Sequence, residues 1–307
     1  MVFFFKNMCF NKDVLFLIFK ELKNDKKSLY SCLLVNRTWC VVAVPILWRN
    51  PGQTLLTKKA GCLLFDVTLL HLSEESRDIL KNQGYNNLIT ETYQRPLFNY
   101  INFCKYLDLL IIERMISSKN IERSNVSFIR NVILKLFING NTKLICLSIR
   151  QNYDYQLYHI PGVVHCFSEL ESFHCDVKTN QDMLEGLARI CKSIKKLRFY
   201  NNSCMNSYTS NNFGMIKLIE VQKNLNDVSF IDNCRFMIES FKKPLEKSLI
   251  KHADTIQYLR MDWKPITSIL SYLVNLLSLE INGHYYYYQH SINFNEFNHL
   301  KNLSFPI

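Results

Sequence analysis

Leu144-Ile145-Cys146-Leu147-Ser148-Ile149 places apolar residues at 144, 147 and 149, and the same spacing returns at six later points in the chain. The copies are Leu170/Phe173/Cys175, Ile194/Leu197/Phe199, Leu225/Val228/Phe230, Ile256/Leu259/Met261, Leu276/Leu279/Ile281 and Leu300/Leu303/Phe305. Successive starts lie 26, 24, 31, 31, 20 and 24 residues apart. Between them run amphipathic stretches, among them Met183 to Ile190, Phe213 to Val221, Phe241 to Ile250 and Ile266 to Val274. In a chain that is 48% apolar any one triple arises by chance roughly one time in nine, so the alternation of strand signature and helical stretch carries the inference. Units of this kind cannot bury an apolar face alone and stack to share one core. A Rossmann-like α/β sheet is the rival arrangement, and no Gly-x-Gly-x-x-Gly stands in the sequence to support it.

Side chains alternate along a strand, so residues between the apolar positions face away from the core. That predicts a polar recognition face of Ser148, Arg150, His174, Asp176, Lys196, Arg198, Tyr200, Asp227, Ser229, Tyr258, Arg260, Asp262, Glu280 and Asn282. Mixed charges and aromatics suit a protein or peptide target better than nucleic acid. A solvated face without a ligand is the plain alternative. Asn152, Asn202 and Asn233 stand just after three of the triples, where an amide can hydrogen-bond a turn. Tyr285 to Tyr288 follow the Asn282-Gly283 turn as a candidate aromatic loop.

Upstream the period changes. From Asn11, a candidate cap, the apolar positions Val14, Leu15, Ile18, Phe19 and Leu22 follow helical spacing. Asp25 is a second cap candidate, ahead of Leu29, Cys32 and Leu33, and Asn36 opens a third helix with Trp39, Val42 and Ala43 inward. Pro45 is expected to stop that helix and send Ile46-Leu47-Trp48 away in extended form. Three helices in about forty residues bury little by themselves and call for a covering partner.

This stretch resembles the F-box. Asp13-Val14-Leu15 and Ile18-Phe19-Lys20-Glu21-Leu22 match the first helix of the family pattern. Leu33-Leu34-Val35-Asn36-Arg37-Thr38-Trp39 and Ala43-Val44-Pro45-Ile46-Leu47-Trp48 match the rest, with Phe10-Asn11 where the family has Leu-Pro. The resemblance implies docking on the Skp-type adaptor of an SCF (Skp, cullin, F-box) ubiquitin ligase. The implied adaptor-binding residues are Phe10, Asn11, Val14, Leu15, Ile18, Phe19, Leu22, Leu33, Val35, Trp39, Val42, Leu47 and Trp48. The repeats are similar to the irregular leucine-rich repeats found behind F-boxes. The expected fold is therefore α+β, with an F-box-like domain at 9–50, a helical linker region at 51–142 and an α/β leucine-rich-repeat solenoid at 143–307.

In the linker, Ser73 caps a helix whose first turn carries Glu74 and Glu75, and Gly84 suits a left-handed residue at its end. Leu97 to Ile116 reads as one long apolar segment, and a helix with Ile129, Val132, Ile133, Leu136 and Phe137 runs up to Asn139-Gly140-Asn141.

The chain has 37 Lys and Arg against 26 Asp and Glu, a formal charge of +11. Ten of those bases against three acids fall in residues 1–60, a surplus that would steer an acidic adaptor, or alternatively reflects a lysine-rich composition. Nucleic-acid binding is the competing reading of the charge, and an F-box protein acting outside ubiquitin transfer is another. No apolar run approaches the roughly 20 residues of a membrane span, so no membrane partner is expected, and a cytoplasmic or nuclear location is. The 11 cysteines form no Cys-x-x-Cys pair, and Cys32, Cys104, Cys146 and Cys175 read as small buried thiols. His165-Cys166 and His174-Cys175 fit no zinc-finger spacing. With no nucleophile elbow, P-loop or His-Glu-x-x-His, the sequence predicts neither cofactor nor metal nor catalysis.

Overall fold

The computed structural model describes residues 11–52, 57–88, 95–150, 155–201, 212–232, 238–282 and 302–304. It is a mixed chain of helices and parallel strands in two compact units. Met1–Leu107 with Ile111–Phe137 form one, and Asp108–Leu110 with Ile138–Ile307 the other.

The first unit opens with α1 (Lys12–Glu21), α2 (Lys26–Cys32) and α3 (Arg37–Leu47). Each starts on the side chain expected to cap it. The N–H of Asp13 donates to Asn11 Oδ1 at 3.1 Å, that of Ser28 to Asp25 Oδ1 at 3.2 Å and that of Trp39 to Asn36 Oδ1 at 2.9 Å. Caps of this kind satisfy amides that the helix itself leaves open. Pro45 does not end α3, which runs on to Leu47, contrary to the expectation of an extended exit. The proline falls in the last turn, where it removes one backbone bond, while the Trp48 N–H still reaches the Val44 carbonyl at 3.0 Å.

Further along come α4 (Lys58–Leu69), α5 (Glu74–Asn82), β1 (Tyr106–Asp108), α6 (Leu109–Ser118) and α7 (Arg123–Phe137). Ser73 caps α5, and Gly84 follows it with φ of +86°. Paired bonds from Gly84 N–H to Lys81 O and Tyr85 N–H to Leu80 O close the helix end. Leu97 to Ile116 is not one continuous element. Lys105 and Tyr106 donate their N–H groups to the Arg49 carbonyl in an extended stretch, and Asp108 Oδ1 accepts the Leu110 N–H to start a new helix. Arg130 on α7 grips Glu113 on α6 through two parallel bonds of 2.5 and 2.9 Å.

The second unit is built from strands β2 (Cys146–Ile149), β3 (Ser172–Asp176), β4 (Lys196–Asn201), β5 (Asp227–Asp232), β6 (Tyr258–Met261), β7 (Ser278–Ile281) and β8 (Asn302–Ser304). They pair in parallel, each with the next in the chain. The intervening helices are α8 (Val163–Cys166), α9 (Gln181–Ile190), α10 (Phe213–Glu220), α11 (Glu239–Ile250) and α12 (Ile269–Tyr272). In register, Leu147, Phe173, Leu197, Val228, Leu259 and Leu279 form one apolar row and Ile149, Cys175, Phe199, Phe230, Met261 and Ile281 another. Every residue of the six described triples is at most 5% exposed. Leu300 and Phe305 of the seventh lie outside the described residues, as do Asn152, Asn202, Asn233 and Tyr285 to Tyr288.

Backbone geometry repeats from step to step. At the starts of β3 to β7 two successive N–H groups share one carbonyl of the preceding unit: Glu171 and Ser172 on Ile145, Lys195 and Lys196 on Glu171, Asn226 and Asp227 on Lys195. Gln257 and Tyr258 do the same on Asn226, and Leu277 and Ser278 on Gln257. Buried side chains stitch the helical edge as well. Gln222 accepts the Ile194 N–H at 2.9 Å and donates to Cys191 O, while His252 Nε2 meets Ile219 O at 2.8 Å. The α9–α10 approach is so close that a Cβ on Gly214 would stand 2.2 Å from the Gln181 carbonyl oxygen.

The expected amphipathic helix over Ile266 to Val274 shrinks to the single turn of α12. Its beginning is drawn out by Glu246, a fully buried carboxylate that accepts N–H groups of Ile266 at 3.0 Å and Thr267 at 2.7 Å, and the Trp263 indole N–H at 2.9 Å. Backbone amides committed to a side chain cannot extend a helix.

Candidate functional site

In the first unit, α1, α2 and α3 close a small core of Leu15, Phe19, Leu29, Cys32, Val42 and Ala43. Phe19 and Trp39 meet edge to face with ring centres 5.2 Å apart. Leu15, Phe19 and Val42 were expected to touch a partner, but this core consumes them, because they supply the contacts among the three helices. Leu22, Leu33, Trp39 and Leu47 pack against it and are half-buried. Trp48 stacks on Tyr100 at 4.6 Å. Asn11 is exposed and serves as the cap of α1, and Phe10 lies outside the described residues.

Val14, Ile18 and Val35 remain exposed, as expected of partner contacts, and they are joined by residues the periodicity passed over. Phe16 is 43% exposed, Leu17 61% and Leu34 89%, with Tyr30 also open. The signal was available: Val14-Leu15-Phe16-Leu17-Ile18-Phe19 is an unbroken apolar run, and a helix cannot turn six successive residues toward one core. Beside Phe16 lies a groove of about 400 Å³ lined also by Lys20, Lys23, Arg49, Lys105 and Ile46. Apolar surface bordered by cations suits an acidic protein with apolar anchors.

The second unit presents the polar rows of its strands. Ser148, His174, Arg198, Ser229, Arg260 and Glu280 are neighbours across the sheet, next to a row of Cys146, Ser172, Lys196, Asp227, Tyr258 and Ser278. Three members differ from expectation: Ser148, Asp176 and Ser229 are buried. Arg150 covers Ser148 and donates to its hydroxyl at 3.2 Å, and Asp176 turns back to accept the Lys178 N–H at 2.9 Å. The remaining groups are open or half-open, Tyr258 the most prominent aromatic at 47%.

Opposite charges are paired along much of this face. Lys196 meets Asp227 at 3.7 Å, and Arg260 holds Asp262 at 3.2 Å and Glu280 at 3.0 Å. Asn282 donates to both of those carboxylates. His174 touches the Ser172 hydroxyl at 3.0 Å, and its pKa is pushed down to about 4 by burial and then by Arg198 and Arg150. His165 is exposed while Cys166 is buried, so that doublet does not converge, and among the described residues no three His, Cys, Asp or Glu gather as a metal cluster. Burial raises the Cys191 thiol to about 12 and drives Cys175 higher still, away from nucleophilic chemistry. No described helix is long and apolar enough to cross a membrane.

The F-box-like family matches residues 12–54, the segment that contains α1, α2 and α3. This match supports an F-box protein, a class whose domain generally binds Skp-type adaptors. No curated protein sequence matches the chain.

Proposed function

We propose that this protein is a non-catalytic substrate receptor of an SCF-type ubiquitin ligase, acting in the cytoplasm or nucleus. The F-box-like segment docks on a Skp-type adaptor and, through it, on a cullin. The parallel strands of the second unit are an irregular leucine-rich-repeat solenoid, and their polar face holds a target protein. One observation carries the reading: the matched segment coincides with three helices whose core is closed, yet which keep Phe16, Leu17, Ile18, Leu34 and Val35 in water. Unpaired apolar side chains on so small a unit are accounted for by a partner that covers them. For the target face, the alternation of cations, carboxylates and tyrosine favours a protein over a uniformly anionic polymer.

The test is capture of a Skp-type adaptor by the tagged full-length chain. Wild type is expected to retain the adaptor, and Ile18→Asp and Leu34→Asp to lose it while keeping the wild-type circular dichroism spectrum and melting curve. Absence of capture by the wild type, or undiminished capture by both variants, defeats the proposal. A cullin recovered in the same complex distinguishes ligase work from an adaptor-bound role outside ubiquitin transfer.

A further inference from the structure

A second groove, of about 420 Å³, lies in the first unit with α2 and α3 on one side and α4 on the other. That volume falls in the range of small-molecule pockets, roughly 300–1,000 Å³. Val44 and Leu47 of α3, Trp48 just beyond them, and Leu64 and Val67 of α4 give it an apolar lining. The wall at Tyr100 is set in advance, since its ring stacks on Trp48 at 4.6 Å and its N–H donates to His71 Nε2 at 3.1 Å. Tyr30 and Leu63, which also line the groove, stand 57% and 58% exposed. One charge reaches this lining. Lys20, Lys23 and Lys27 are exposed, whereas Lys26 is half-buried at the groove, and no carboxylate lines it. The adjacent Asp25 is committed to Ser28, accepting its N–H at 3.2 Å and its hydroxyl at 2.6 Å. Burial lowers the Lys26 pKa with no carboxylate to hold it up, the condition of an ammonium that has given up water for no anion in return.

We propose that this groove is a binding site for a small amphipathic monocarboxylate, its apolar body held between α3 and α4 and its carboxylate on Lys26 Nζ. Charge and shape select the ligand class. One ammonium matches one negative charge, and a dianion would leave a charge uncompensated against the apolar lining. The lining asks nothing polar of the rest of the ligand. A helix about 10 Å across fills a volume of this size with roughly a single turn, too short to carry the spaced anchors of a groove-bound helix. The F-box-like match ends at residue 54, so α4 and Tyr100, which supply the far walls, lie outside the segment read as docking the adaptor. The site is therefore an addition to the adaptor surface and stands independently of the receptor reading.

The experiment is isothermal titration calorimetry of the full-length chain with octanoate, 1-octanol and acetate at constant ionic strength. Octanoate is expected to bind one to one, 1-octanol about tenfold more weakly for want of the charge, and acetate not at all for want of the apolar body. Lys26→Met keeps the aliphatic stem and removes the ammonium, so octanoate falls to the affinity of 1-octanol while 1-octanol is unaffected. Lys27→Met, an equal loss of charge at the exposed neighbour, changes neither. Ala60→Leu enlarges a half-buried side chain that lines the groove and abolishes both, with the melting curve of the wild type retained. The site is overturned if octanoate does not bind, if 1-octanol binds as tightly, or if Lys26→Met binds octanoate as well as wild type. Loss of adaptor capture by Ala60→Leu in a chain that ignores octanoate gives the groove to the adaptor and overturns the small-ligand site as well. A chain that binds octanoate as expected but captures no adaptor keeps this site and sinks the receptor reading alone.

Discussion

The three N-terminal helices and the stack of parallel strands spend their apolar residues in opposite ways. In the stack, the residues at all three positions of each described triple are buried, and polar side chains close the remaining backbone groups. In the helices, caps satisfy the backbone, yet Leu17 and Leu34 stand in water. A strand unit with neighbours on both sides can complete its interior within the chain. A short three-helix segment closes only a small core, and its surplus apolar surface is left for something else.

Core truncation in the stack should give the largest effect. Phe199 is fully buried against Phe230, rings 5.2 Å apart, and Phe199→Ala is expected to cost about 3–5 kcal/mol in urea denaturation. A loss below about 1 kcal/mol would remove the contrast. Glu246→Ala should follow at about 3 kcal/mol, because it strands the buried Trp263 indole N–H and two half-buried backbone amides. Acidification comes next. His174 has its pKa lowered to about 4 and His252 is lowered as well, mainly by burial, so the unfolded chain binds protons more readily than the folded one below pH 6.5. Stability is therefore expected to fall by about 1–2 kcal/mol from pH 7 to 5, and His174→Gln to flatten that slope. In the helical segment Asn36→Ala should cost about 1 kcal/mol for the lost cap of α3. Leu34→Ser should change the unfolding midpoint least, by no more than about 0.5 kcal/mol. A large destabilisation there would mean that Leu34 already has a partner within the chain.

The sequence made the strands of the stack legible because each triple is short, apolar and set off by helix, and parallel neighbours enforce one spacing. Asn11, Asp25, Asn36 and Ser73 were legible as caps for a similar reason: a cap is a local event involving amides two or three residues away. What escaped was decided over distance. Whether Leu15 or Leu17 faces the core depends on two other helices, and the curtailed α12 depends on a carboxylate at Glu246, about twenty residues upstream. The burial of Ser148 beneath Arg150 was likewise invisible to strand alternation, which knows which side a residue faces but not what folds over it. That Arg198 Nε lacks a hydrogen-bond partner among the described residues could not be read without the register, since only alignment of β3, β4 and β5 sets His174 and Ser229 on either side of Arg198.

The doubled amide grip at the starts of β3 to β7 separates two kinds of freedom. Steps of 20 to 31 residues all feed into the same backbone junction, so insertions and deletions fall on the helical side and do not alter the pitch of the opposite surface. Such a molecule works like a comb whose teeth keep a fixed interval while its spine is thickened or trimmed, and a binding pattern written across the teeth can outlast large changes in length behind them.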